Sequence, residues 1–190
     1  MDNNNPAPAP GARPRKGIDI FRFADANPLT EEQMPMEGID DSVMAGFSKL
    51  IEAGGAESGG EKVLCLYREP EDDGLSLCYA WFKSGFVLPR HSHSADCLYY
   101  VIAGEVHLGK QVLCKGDGFF VPADAPYSYV AGPDGAEVLE FRNAARFNIL
   151  FRNNDESHWE KMAQAFRDNG EKWKSEIVPP SDKSALTAQG

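Results

Sequence analysis

Gly85-Phe-Val-Leu-Pro-Arg-His91-Ser-His93-Ser-Ala-Asp-Cys97-Leu-Tyr99-Tyr-Val-Ile-Ala-Gly104 is the stretch that decides the fold. Along an extended strand successive side chains alternate faces, so His91, His93 and Cys97 share one parity and point the same way. Two imidazoles two residues apart on an inward face can chelate a single ion, and metal sites in small β-barrels are built in this manner. A second stretch, Gly116-Asp-Gly-Phe-Phe120-Val-Pro122-Ala-Asp124-Ala-Pro126-Tyr127-Ser-Tyr129, carries its own turn chemistry. Pro122 and Pro126 stiffen the turn that aims Tyr127 inward. Gly104 and Gly116 are expected where the chain turns between strands and a Cβ would clash.

Strand signals surround both stretches, from Val63 to about Leu150. Leu75-Ser-Leu-Cys-Tyr-Ala-Trp-Phe82 alternates, with Leu75, Leu77, Tyr79 and Trp81 on one face. Short strands then recur between turns marked by Gly109-Lys110, Lys115-Gly116 and Gly132-Pro133, a rhythm that means a sandwich or barrel. Before them, Val43, Met44, Phe47, Leu50 and Ile51 follow a helical period over Ile39–Ile51, ended by Gly54-Gly55. After them a helix is expected to start at Asn154 or Asp155, to carry Trp159, Met162, Ala163 and Phe166 on one stripe, and to stop at Gly170. The organisation expected is a disordered tail over 1–17, a helical and loop segment over 18–62, an all-β barrel over 63–151, a helix over 152–176 and a disordered tail over 177–190, the last from Pro179 onward.

At 190 residues, 42% of them hydrophobic and 11% aromatic, the chain suits one domain with a full core. Lysine and arginine total 19 against 29 aspartate and glutamate, an acidic balance that argues against nucleic acid or an anionic membrane as partner. No apolar run approaches the roughly 20 residues of a membrane helix. The opening MDNNNPAPAPGARPRKG lacks the apolar centre of a signal peptide, so a cytoplasmic protein is expected. Cys65, Cys78, Cys97 and Cys114 show no CxxC spacing and fit a reducing compartment, with Cys65, Cys78 and Cys114 expected as small buried hydrophobes.

Over about Val63 to Phe151 the chain resembles the cupin superfamily, small β-barrels of jelly-roll type. Gly85, His91, His93, Cys97 and Gly104 stand at the spacings of the first cupin motif, and Tyr100-Val101 match its aromatic and aliphatic run. Gly116, Pro122, Asp124, Tyr127 and Ala131 stand at those of the second. The resemblance implies a metal held by three His and a Glu, of which this chain keeps two, with Cys97 at the Glu position and Tyr127 at the third His. Asp124 replaces a motif Gly, which Asp tolerates because it visits left-handed conformations more readily than most residues.

Two readings of the site follow. In the first, His91 and His93, joined by Cys97 as a thiolate, hold a divalent transition metal (Fe, Zn, Mn, Ni or Cu), and Tyr127 gives or takes a proton during dioxygenase, isomerase or lyase chemistry on a small organic substrate. Tyr99, Phe120 and Tyr129, with Phe119 beside them, line an aromatic pocket for that substrate. His107 joins only if it faces inward. In the second reading the barrel lacks a full metal site and binds a small molecule or merely dimerises, its histidines bonding to Tyr127 or to a ligand. A homodimer is expected in either reading, because sheet edges and the Trp159, Met162, Phe166 stripe offer apolar surface.

Overall fold

The computed structural model describes residues 17–55, 59–152 and 155–187. Nearly all of the expected N-terminal tail, and residues 188–190, lie outside the described residues. Ten strands run in chain order: β1 (Asn27–Pro28), β2 (Met36–Glu37), β3 (Glu61–Arg68), β4 (Ser76–Phe82), β5 (His91–Ser92), β6 (Cys97–Leu108), β7 (Gln111–Cys114), β8 (Gly118–Val121), β9 (Val130–Arg142) and β10 (Ile149–Phe151). Helix α1 (Asp41–Glu52) precedes β3, while α2 (Glu156–Ser175) and α3 (Pro180–Thr187) follow β10. One sheet has the order β1-β3-β4-β9-β6-β7, with β8 also paired to β6, and a second has the order β2-β10-β5. The β-rich architecture with flanking helices is as expected, but neither sheet closes on itself. Lone bridges Val87–Val130 and His91–Tyr127 tie further residues across the gap.

Register explains which side chains reach the interior. Cys65, Cys78, Glu140, Tyr99 and Phe119 form one row across β3, β4, β9, β6 and β8, and Ser76, Arg142, Cys97 and Val121 form the next. The opposite parity of β6, β8 and β9 carries Leu98, Phe120 and Phe141, all exposed. On β4 both faces are covered, because Tyr79 packs edge-on to Phe23 at 5.0 Å outside the sheet while Cys78, Ala80 and Phe82 fill the inside. Cys114, expected inside, is exposed on the short edge strand β7.

Gly104 is not at a turn. It lies within β6 at φ +70°, opposite a bulge in β9, where an added Cβ would sit 2.1 Å from the Gly135 carbonyl oxygen. Asp124, at φ 61°, is the one described non-glycine residue with positive φ, as its turn position implied.

Both long helices start where the sequence says, capped by Asp40 and Asp155, whose carboxylates accept from Val43 N (2.9 Å) and His158 N (2.8 Å). The α2 stripe, however, is buried within the chain. Trp159 is 2% exposed, and Gly46 of α1 lies so close that a Cβ there would meet its indole at 2.2 Å. That stripe therefore offers nothing to a second copy. Nor does α2 stop at Gly170: Trp173 is fully buried against Phe86 and Phe166, and its indole N–H donates to the Ser84 carbonyl at 2.7 Å. Burial of a tryptophan outweighs the roughly 1 kcal/mol that glycine costs inside a helix. Within the segment from Pro179 onward, expected to be disordered, Pro180–Thr187 form α3. Its Ser181 N–H and hydroxyl both bond the buried Glu137 carboxylate, at 2.6 and 3.0 Å.

Candidate functional site

His91 and Tyr127 face each other across their bridge. Each backbone N–H donates to the other residue's carbonyl, at 3.1 and 2.9 Å, which sets the two side chains side by side. β10 pins the other edge of β5, with Phe151 opposite His91. The result is a buried polar cluster: the Tyr127 hydroxyl is 2.9 Å from His91 Nε2, 3.3 Å from His93 Nε2 and 2.5 Å from the Tyr99 hydroxyl. Arg142 Nη2 reaches both the Tyr99 hydroxyl (3.3 Å) and the Glu140 carboxylate (2.7 Å).

The direction of every hydrogen bond in this chain is fixed by its ends. His91 Nδ1 meets the Pro89 carbonyl at 2.7 Å and His93 Nδ1 meets the Asn148 carbonyl at 2.5 Å. A carbonyl only accepts, so both Nδ1 atoms carry hydrogen. Burial pushes His91 down to about 4 and His93 well below the ordinary histidine range, with the Arg142 charge adding to both. Both imidazoles are therefore neutral near pH 7, and both Nε2 atoms are lone pairs. Tyr127 donates to one of them, Tyr99 donates to Tyr127, and Arg142 donates to Tyr99. Tyr127 has a single hydrogen, so one imidazole lone pair is left over.

Unmatched donors lie on the other side of the balance. Among the described residues Arg142 Nε and Nη1 and the Tyr129 hydroxyl, all buried, have no partner. Nε bears one N–H and Nη1 two, so three of the five N–H bonds of a fully buried guanidinium are unused. The guanidinium carbon stacks 4.2 Å from the Phe147 ring centre, which holds it in place.

His91, His93, Tyr127, Glu140 and Arg142 line one end of a cavity of about 300 Å³. Its remaining wall is apolar, from Met34, Phe47, Phe82, Leu88, Phe151 and Phe166 among others, with Glu61 as a further polar group. Glu61 keeps accessible surface where it opens β3, while desolvation by the wall around its carboxyl, reinforced by the Glu140 charge, raises that carboxyl above the usual carboxylate range.

The sequence-derived candidates divide accordingly. His91, His93, Tyr127 and Tyr99 are brought together, with Tyr129 stacked on Tyr127 at 6.3 Å. None of Tyr99, Phe120 and Tyr129 lines the cavity: Tyr99 and Tyr129 are core residues behind it, and Phe120 is 59% exposed because its parity is that of Leu98, its neighbour Phe119 taking the inner place, stacked on Tyr99 at 4.5 Å. His107 bonds Glu105 at 2.9 Å, away from the cluster. Arg142 and Glu140 were missed.

These residues do not make a transition-metal site. Among the described residues no three His, Cys, Asp or Glu are placed to hold an ion. The two Nε2 lone pairs do converge, with Nδ1 atoms tied back as in metal-bound histidines. Yet the point of convergence is taken by the Tyr127 hydroxyl, whose pKa burial drives far upward. Burial pushes the Cys97 thiol up to about 12. The fixed cation in the cluster is Arg142.

No family model and no curated protein matches the chain. Among solved structures it is similar to an RmlC-like cupin from Shewanella frigidimarina, with 30% identity over 44% of this chain and 76% of that one and a TM-score of 0.40. It is also similar to KdgF from Halomonas sp., with 26% identity over 44% and 79% and a TM-score of 0.39. A protein of unknown function with a cupin-like fold from Ralstonia eutropha shares 17% identity over 81% and 89%, with a TM-score of 0.47.

Proposed function

The chain belongs to the cupin superfamily, and we propose that its cavity binds a small, mainly apolar hydroxy acid without a resident metal. The observation that supports this is the mismatch inside the cluster: buried donors on Arg142 lack an acceptor while one imidazole lone pair lacks a donor. A ligand with a carboxylate for Arg142 and a hydroxyl for the imidazole satisfies both, and the apolar wall takes its carbon skeleton. The acidities favour binding over proton-transfer catalysis. An efficient acid or base titrates near the working pH. His91, pushed down to about 4, is a weak base, and Tyr127, pushed far up, is a weak acid.

Calorimetric titration with hydroxybenzoates tests the reading beside two controls, the methoxybenzoates, which lose the donor, and the hydroxybenzamides, which lose the charge. Loss of the donor, or of the charge that strengthens the bond to Arg142, is expected to weaken binding about tenfold or more, the scale set by 1–3 kcal/mol for a buried group left unpaired or a charged hydrogen bond lost. Equal affinity across the series, or binding unchanged in the charge-balanced double variant Arg142→Gln/Glu140→Gln, would contradict it.

A further inference from the structure

Outside the cavity cluster, the antiparallel pairing of β3 and β4 puts Cys65 directly opposite Cys78. Directly opposed residues on such strands have Cα atoms about 4.5–5.5 Å apart, inside the range a disulfide requires. The two residues share one row of the sheet, and their closeness lowers Cys65 and raises Cys78, with the Arg68 charge drawing Cys65 down further; the Cys65 thiol also meets the Tyr67 carbonyl at 3.7 Å. Cys78 is fully buried, whereas Cys65 is half-buried and lines a surface hollow with Asn27, Thr30, Gln33 and Arg68. A β-bulge lies immediately after Cys65, between Cys65 and Tyr67, so the ladder is interrupted and the strand bends beside the pair.

We propose that Cys65 and Cys78 are a peroxide-oxidisable pair that closes to a reversible cross-strand disulfide. Cys65, as thiolate, attacks the O–O bond of a hydroperoxide, which leaves as an alcohol or water, and becomes a sulfenic acid. The Cys78 sulfur then displaces hydroxide from that sulfenic sulfur and loses its proton, so that water departs and an S–S bond remains. Two thiols are oxidised by two electrons, and one hydroperoxide is reduced. Cys78 pairs with Glu140 on its other side, so the disulfide would abut the strand that carries Arg142.

The test treats the full chain with hydrogen peroxide, blocks remaining thiols, digests with trypsin and maps the peptides without reductant. The expected product joins Val63–Arg68 to Glu69–Lys83, two hydrogens lighter than the separate peptides, and disappears on adding dithiothreitol. Cys65→Ala should abolish it and Cys114→Ala should not. Should Cys65→Ala fail to fold, the wild-type map decides alone. Oxidation confined to the exposed Cys114, a bridge from Cys65 to another cysteine, or free thiols at both Cys65 and Cys78 after treatment would overturn the proposal.

Discussion

Replacing Arg142 by methionine is expected to cost the fold about 3–5 kcal/mol, the usual penalty for leaving one member of a buried ion pair uncompensated. Its partner Glu140 is 7% exposed and loses the cation it pairs with, and Tyr99 loses the donor that starts the hydroxyl chain. The double variant Arg142→Met/Glu140→Leu removes both charges, and because the guanidinium already leaves three N–H bonds unmatched it should recover most of the loss or exceed wild type. Urea denaturation of the three proteins measures this. A single variant within 1 kcal/mol of wild type would mean that the pair is solvated and the cavity more open than its burial indicates. A double variant more stable than wild type would mark the pair as kept for binding rather than for stability.

Acid should unfold the protein steeply. A histidine held below its unfolded pKa of about 6.5 is neutral when folded and takes up a proton on unfolding, so its contribution is full above that pH and is lost as pH falls toward the folded value. For His91, with a folded pKa of about 4, the span corresponds to about 3 kcal/mol between pH 6.5 and 4. His93 is depressed as well and acts in the same direction. Glu61 opposes them: its raised carboxyl favours the folded state as pH falls through its folded pKa toward the ordinary carboxylate value. Unfolding free energies from urea denaturation should therefore fall between about pH 6.5 and 4 with a slope approaching about 1.4 kcal/mol per pH unit for each histidine. The slope should flatten in His91→Gln. A profile flat down to pH 4.5 would show the imidazoles to be solvated.

The histidine pair was legible because strand parity alone decides that residues 91 and 93 share a face, and Tyr127 because the turn at Pro122–Pro126 fixes where the next strand begins. Arg142 and Glu140 were not. In Val138-Leu-Glu140-Phe-Arg142 the larger apolar side chains, Leu139 and Phe141, look like the buried set, yet the register with β6 turns Val138, Glu140 and Arg142 inward. The one available signal was the continuation of the small residues Ala136 and Val138 at the same parity. The same one-residue ambiguity exchanged Phe120 for Phe119. β1 and β2, two residues each, are too short for any periodicity, and α3 is held by the distant Glu137, a contact no local pattern reveals.

Whether His91 and His93 serve Tyr127 and a ligand, rather than an ion, is the central question, and elemental analysis answers it most directly. The chain would be expressed with iron, zinc, manganese, nickel and copper supplied, purified without chelator, and measured beside His91→Ala/His93→Ala. Sub-stoichiometric metal, equal in the two proteins, is the expected result. About one equivalent per chain in the wild type, lost in the double variant, would contradict it.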